Sequence, residues 1–241
     1  MEHLDRVQPL SRVPLAISHW LGYRASPPKP LLAESFTVWT WSFVAAFCGV
    51  SLLQAVFSRA HYFIERGVPS IIASYGASAV LIYGAIETPL AQPRALLGGH
   101  FISALLGICI SKLFQLFPSD RYMDLQWLAG SLSVSVSVVA MQVTKTTHPP
   151  AGATALLAAI NQEVIDISWY LLPVVLLSST VVLAVALVVN NIQRRYPIFW
   201  FAPVVPPSAR PSPSSGDPKM INSSSALPDE DSLGRKSISQ A

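Results

Sequence analysis

Thr146-Thr147-His148-Pro149-Pro150-Ala151-Gly152 sets a titratable ring and two helix-breaking residues directly before a run of small and apolar side chains. After Lys145 the next charged residue is Glu163. Imidazole changes charge near neutral pH, so His148 has three available jobs: hydrogen-bond donor to an anion, proton carrier, or structural cap. Pro149 and Pro150 carry no N–H, and proline suits the first helical position. The first free donors of a helix opening at Pro150 therefore belong to Ala151 and Gly152. A helix N-terminus carries roughly half a positive charge, which makes such donors a seat for a small anion. Gly152 permits close approach because it has no Cβ. Thr154, with Thr146 and Thr147, is of a type that lines a polar path or bonds back to its own helix.

His100 follows Gly98 and Gly99 and offers the same choice between function and structure. Arg94 and Lys145 each precede an apolar stretch, placed to attract or gate anions at an entrance or to serve as ordinary interfacial charges. No G-x-S-x-G, H-E-x-x-H, Walker A or G-x-G-x-x-G pattern occurs, so neither an enzyme nor a bound cofactor or metal is expected. Cys48 and Cys109 have no metal spacing and read as buried small hydrophobes.

The elements that would hold these residues follow from where the charges lie. Hydrophobic residues make up 51% of the 241-residue chain and charged residues only 12%. Mean hydropathy is +0.46. These values define a membrane protein with the lipid bilayer as its main partner. The net charge of +3, without a basic run, gives no reason to expect nucleic-acid binding. The first 35 residues lack the long apolar core of a cleaved signal and read as a polar N-terminal segment. Between Phe36 and Gln193 the charges leave charge-free stretches over 36–58, 67–86, 95–111, 125–144, 146–162 and 167–193. A spanning helix needs about 20 apolar residues. The first, third, fourth and sixth stretches meet that, the third by running past a snorkelling Lys112.

The second and fifth stretches are interrupted, at Pro69 with Ser74-Tyr75-Gly76 and at Pro149-Pro150. Helices over Pro150–Ile160 and Gly76–Ile86 would each reach about 16 Å, half of a hydrocarbon core about 30 Å thick. They also match each other. Gly76-Ala77-Ser78-Ala79-Val80-Leu81 parallels Gly152-Ala153-Thr154-Ala155-Leu156-Leu157, small for small and apolar for apolar. The expected fold is an all-α polytopic bundle of four long and two short or broken helices. They form two three-segment repeats, about 36–117 and 125–193. Paired broken segments point to a transporter binding site, with the donors of Tyr75, Gly76 and Ala77 facing those of the second copy. The short helices either re-enter, giving four crossings, or span as broken helices, giving six. Gly99, Ser103, Gly107 and Ser111 recur every four residues and predict close helix packing. SLSVSVSVV, 131–139, alternates like a strand, but an isolated strand cannot satisfy its backbone in lipid, so it is read as helix. Positive charge at both ends of the domain and the acidic NQEVIDIS loop put both termini in the cytosol. Beyond residue 200 the Pro/Ser-rich composition reads as a disordered tail.

His148-Pro149-Pro150 within THPPAGATALL, ASYGASAVL (73–81), PLAQPR (89–94), Gly98-Gly99-His100 and VNN (189–191) before the twin arginines and RYP occur in this order. In these segments the chain resembles the HPP family of integral membrane proteins over roughly residues 36–200. The resemblance implies four transmembrane segments. Photosynthetic members of the family are implicated in nitrite transport, which makes nitrite the first candidate substrate. Some members add CBS domains, for which this tail has no room. The expectation is therefore a transporter or channel for a small inorganic anion, with proton coupling through His148 left open. The alternative is a non-transporting scaffold or regulatory protein whose tail recruits partners; an intramembrane enzyme ranks behind both. So small a bundle also leaves room for a homo-oligomer.

Overall fold

The computed structural model describes residues 14–24 and 36–201. The remainder of the expected N-terminal segment and the tail beyond Phe201 lie outside the described residues. Within the described part, every regular element is helical. The long helices are α2 (Phe36–Arg59), α5 (Pro93–Phe114), α6 (Ser119–Thr144) and α9 (Leu171–Gln193), and among the described residues four helices are long and apolar enough to cross a membrane. A six-residue α1 (Leu15–Trp20) precedes them, and short α3 (His61–Ile64) and α8 (Gln162–Ile167) sit at turns. Two half-length helices complete the set. The first is α4 (Ser74–Ala79), which runs on as a π-helical turn over Val80–Gly84; the second is α7 (Pro149–Ile160). The order long, half, long therefore occurs twice. With 12 residues, α7 reaches about 18 Å, well short of a bilayer core about 30 Å thick.

The break before α7 has a local cause. α6 ends on Lys145 in the left-handed conformation, φ 56°, and Thr146 N–H returns to the Met141 carbonyl at 2.9 Å. That closes the last turn of α6 and reverses the chain. His148 stays extended at φ −137°, as a residue before proline must, and Pro149 and Pro150 then open α7. The first half-helix starts at Ser74 rather than at Gly76, so the Ser-Tyr-Gly interruption is its first turn. Its last turn is closed by side chains. Asn190 Nδ2 donates to the Ile82 carbonyl at 2.9 Å, and Ser42 Oγ and Arg194 Nη1 donate to that of Tyr83 at 2.9 and 3.2 Å.

Small residues set the spacing of the bundle. Gly99, Ser103, Gly107 and Ser111 are all buried in α5. A Cβ built on Gly107 would stand 2.7 Å from the Ala155 carbonyl oxygen and 2.7 Å from the Ala158 methyl. One on Gly99 would meet His148 Cβ at 2.8 Å. The stripe is thus the seat of α7, as its spacing predicts. On the other side of α7, Gly130 of α6 leaves room for Leu156 and Ile160. The alternating serines are helical. Ser131, Ser133 and Ser135 each donate to the carbonyl four residues back, at 2.8 to 2.9 Å.

The cysteines correct the sequence expectation, because Cys48 and Cys109 are exposed on the outer surface. A lipid-facing wall is as apolar as the interior of the bundle, so an apolar neighbourhood does not imply burial here. The N-terminal segment also contains more than polar chain. α1 docks at the end of α9, where Asn191 Nδ2 donates to the Trp20 carbonyl at 3.0 Å and Arg24 Nη2 donates to the Asn191 carbonyl at 3.1 Å.

Candidate functional site: a buried two-histidine network and a cationic cavity

The two half-helices meet directly and through one side chain of α5. His100 Nδ1 lies 2.8 Å from Thr154 Oγ1 on α7, and His100 Nε2 lies 2.8 Å from Ser78 Oγ on α4. Ser78 and Thr154 occupy the same place in the two matching hexamers, so the ring of His100 bridges equivalent hydroxyls of the two repeats. Ser78 Oγ also lies 2.9 Å from His148 Nε2, and Ser74 Oγ lies 2.7 Å from Thr154 Oγ1. His148 Nδ1 reaches the Leu90 carbonyl at 2.8 Å. Both imidazoles have 0% relative exposure. Their centroids are 5.0 Å apart, edge to face. Tyr75 stacks on the outer face of His100 at 4.4 Å, and its hydroxyl donates to the Val175 carbonyl of α9 at 2.7 Å. Ser179 shares that hydroxyl at 2.8 Å. Buried polar groups in lipid need partners, and each of these has one.

Where the other expected residues fall is specific. The His148 side chain does not cap α7; its carbonyl accepts the Ala151 N–H at 2.9 Å. The N–H groups of Tyr75 and Gly76 are likewise taken, by the carbonyls of Ile72 and Ala73 at 2.9 and 3.1 Å. The expectation of free donors is therefore not met at Tyr75, Gly76 or Ala151. Gly76 and Ala77 lie on the exposed outer face of α4, away from the histidines, and Gly152 is half-buried with Val134 as the nearest neighbour of a built Cβ at 4.0 Å. The side chains of Tyr75, His100, His148 and Thr154 do converge. Ser74, Ser78 and Ser179 were not among the expected residues, although the hexamer match pairs Ser78 with Thr154. Among the described residues no three His, Cys, Asp or Glu side chains come together to hold a metal ion.

Arg94 and Lys145 meet at one cavity of about 600 Å³, which Leu90, Gln92, Gln142 and Thr147 also line. No acidic side chain is among its lining residues. Arg94 is fixed at its rim. Its Nη2 donates to the Thr144 carbonyl at 2.5 Å and its Nη1 to that of Phe201 at 3.0 Å. Lys145 is exposed, aimed by the left-handed turn that ends α6. Leu90 belongs to both places: it lines the cavity, and its carbonyl holds His148.

The chain is a member of the HPP family, whose transmembrane region matches residues 32–197. Two transmembrane proteins of Dictyostelium discoideum are similar to it. One is 37% identical over 187 residues, 76% of this chain and 62% of the relative. The other is 37% identical over 185 residues, 76% of this chain and 56% of the relative. The chain thus matches less than two thirds of the length of either. No solved structure matches it. Family, all-helical fold and long apolar helices together define a multi-pass membrane protein.

Proposed function

We propose that this protein is an integral membrane transporter or channel for a small inorganic anion, nitrite being the first candidate through the family resemblance. The observation that supports it is the cavity: two cations, Arg94 and Lys145, line it with Gln92, Gln142 and Thr147 among apolar walls that include Leu90, Phe199 and Phe201, and with no acid. Such a pocket concentrates anions by its field before any contact is made. Its inner wall at Leu90 and Thr147 adjoins His148, where the two repeats join. The cavity lies at the end of the bundle that carries the start of α5, the end of α6 and Phe201, linked by the Arg94 bonds. Arg24, Arg194 and Arg195 gather at the end of α9, which by the positive-inside rule supports a cytosolic side for the chain termini. The chemistry asked of the protein is transfer across the membrane rather than a covalent reaction.

The test is nitrite uptake into proteoliposomes at neutral to alkaline pH, against protein-free vesicles. Chloride, nitrate and formate serve as competitors. Saturable uptake that weakens in an Arg94→Gln, Lys145→Gln double variant supports anion transport. Folded protein that moves none of the four anions would overturn it and favour a scaffold.

A further inference from the structure

The hydrogen bonds between the two histidines have a direction, and it can be derived one atom at a time. A carbonyl oxygen only accepts, so His148 Nδ1 carries a proton and donates it to Leu90. A neutral His148 then has a bare Nε2, which must accept, and the donor is Ser78 at 2.9 Å. Ser78 has a single hydroxyl hydrogen. With that hydrogen on His148, its oxygen accepts from His100 Nε2–H at 2.8 Å. His100 Nδ1 is then bare and accepts from Thr154 at 2.8 Å. Thr154 has spent its hydrogen and accepts from Ser74 at 2.7 Å. Every hydrogen from Ser74 through Thr154, His100, Ser78 and His148 to Leu90 points the same way.

The network also spans distance. Ser74 opens α4 beside Tyr75, whose hydroxyl bonds Val175, four residues into α9 and about 6 Å along its axis from its start. Leu90 lies at the other end, in the wall of the cationic cavity. Ser70, four residues before Ser74, is exposed. Two rings and three hydroxyls thus join Ser74, the buried first residue of α4, to Leu90 in the cavity wall with no gap longer than 2.9 Å.

We propose that Ser74, Thr154, His100, Ser78 and His148 form a proton relay that opens into the cavity bounded by Arg94 and Lys145. A proton taken up on Ser74 Oγ displaces the Ser74 hydrogen to Thr154, and the Thr154 hydrogen moves to His100 Nδ1. His100 then releases its Nε2 hydrogen to Ser78, and Ser78 passes its own to His148 Nε2. His148 gives up its Nδ1 hydrogen to a water or anion that enters from the cavity when the bond to the Leu90 carbonyl opens. One proton enters, one leaves, and each hydroxyl keeps one hydrogen; both imidazoles end in the opposite tautomer, so rings and hydroxyls must turn back before the next proton passes. The titratable groups facing the two rings are each other and Tyr75, which stacks on His100. Arg194, the one arginine or lysine buried among the described residues, binds Tyr83 and Asn190 instead. Ser78 is also the point of control. Its hydroxyl lies 3.2 Å from the Ser74 carbonyl, and swinging the hydrogen there breaks the relay.

The relay deepens the anion-transport proposal but is measured separately. Vesicles holding the full chain, a trapped pH dye, and potassium with valinomycin to clamp the voltage are acidified from outside, without and with nitrite. Wild-type protein should acidify the lumen faster than protein-free vesicles in at least one arm. Ser78→Ala should reduce the excess at least fivefold, and Ser78→Thr, which keeps the hydroxyl, should restore most of it. Thr154→Val interrupts the same chain at another point and covers the case in which Ser78→Ala does not fold. Folded wild-type protein no faster than empty vesicles in both arms would overturn the relay, as would an excess that survives either interruption. Nitrite uptake without a pH gradient judges the anion proposal. Nitrite movement without protons sinks only the relay, and proton movement without nitrite sinks only the anion reading.

Discussion

The two half-helices share a six-residue pattern and each lends one hydroxyl to His100, yet they are held in unlike ways. α7 sits against backbone. Gly107 places α5 against the Ala155 carbonyl and the Ala158 methyl, and Gly130 brings the α6 backbone against the side-chain methyls of Leu156 and Ile160. α4 hangs from side chains. Tyr75 and Tyr83 donate from it to the carbonyls of Val175 and Val182, and Asn190 and Arg194 hold its last carbonyls. Its outer face, with Gly76, Ala77 and Val80, is exposed. Backbone seated on backbone has nowhere to move, whereas hydrogen bonds give way singly, at an average of about 0.6 kcal/mol each in membrane interiors. The repeats therefore agree in their pattern and divide the work: one half is fixed scaffold, and the other is tethered.

The largest test of that contrast is a pair of glycines. Gly107→Leu should unseat α7 and leave no monodisperse protein in detergent by size-exclusion chromatography. Gly49→Ala meets the Tyr83 phenol, so it should fold with a lower melting temperature, at a cost of about 1–3 kcal/mol for overpacking. Equal damage from both would erase the distinction. Next in size, His148→Ala should lower anion uptake in proteoliposomes at least tenfold. It leaves the Leu90 carbonyl without its imidazole donor and Ser78 with His100 alone, and an orphaned buried group costs about 1–3 kcal/mol. At the cavity, Arg94→Gln and Lys145→Gly should each raise the half-saturating nitrite concentration about threefold, a loss near 0.6 kcal/mol that shrinks as salt screens the site. Lys145→Gly should also raise thermal stability, because glycine adopts the left-handed conformation freely. The smallest effects belong to Gly76→Ala and Gly152→Ala. Neither Cβ meets an atom closer than 4.0 Å, and the better helix former should shift stability upward by about 1 kcal/mol or less. Folded Gly152→Ala protein without uptake would show that an anion needs the bare backbone of α7.

Much of this architecture was legible in the chain. Charge placement located the four long helices, although α6 begins at Ser119 and takes Asp120, Arg121 and Asp124 into its first turns; prolines marked where α7 begins, and spacing by fours identified the α5 stripe. The hexamer match identified both half-helices, though it could not show that the first turn of α4 starts at Ser74. The site was legible only in part. His148, His100, Thr154 and Tyr75 stood out by type, but spacing along a helix reports its face and not the neighbour it meets. The partners of His100 are 22 and 54 residues away, and that of His148 is 70. The N–H groups of Tyr75, Gly76 and Ala151 looked free because local turns closing on Ile72, Ala73 and His148 cannot be foreseen from residue type. The two cysteines misled for a different reason: lipid and core select the same side chains.

Leu90 belongs to the short Pro89–Ala91 turn, and that turn serves a solvent-facing wall and a buried ring at once. Two equilibria that share a piece of backbone are coupled, and such coupling is reciprocal. An occupant of the cavity that displaces the turn alters the hydrogen bond on which His148 is oriented. A change in that bond alters the affinity of the cavity by the same factor. Substitutions confined to Pro89–Ala91, which change no charge, will therefore alter both.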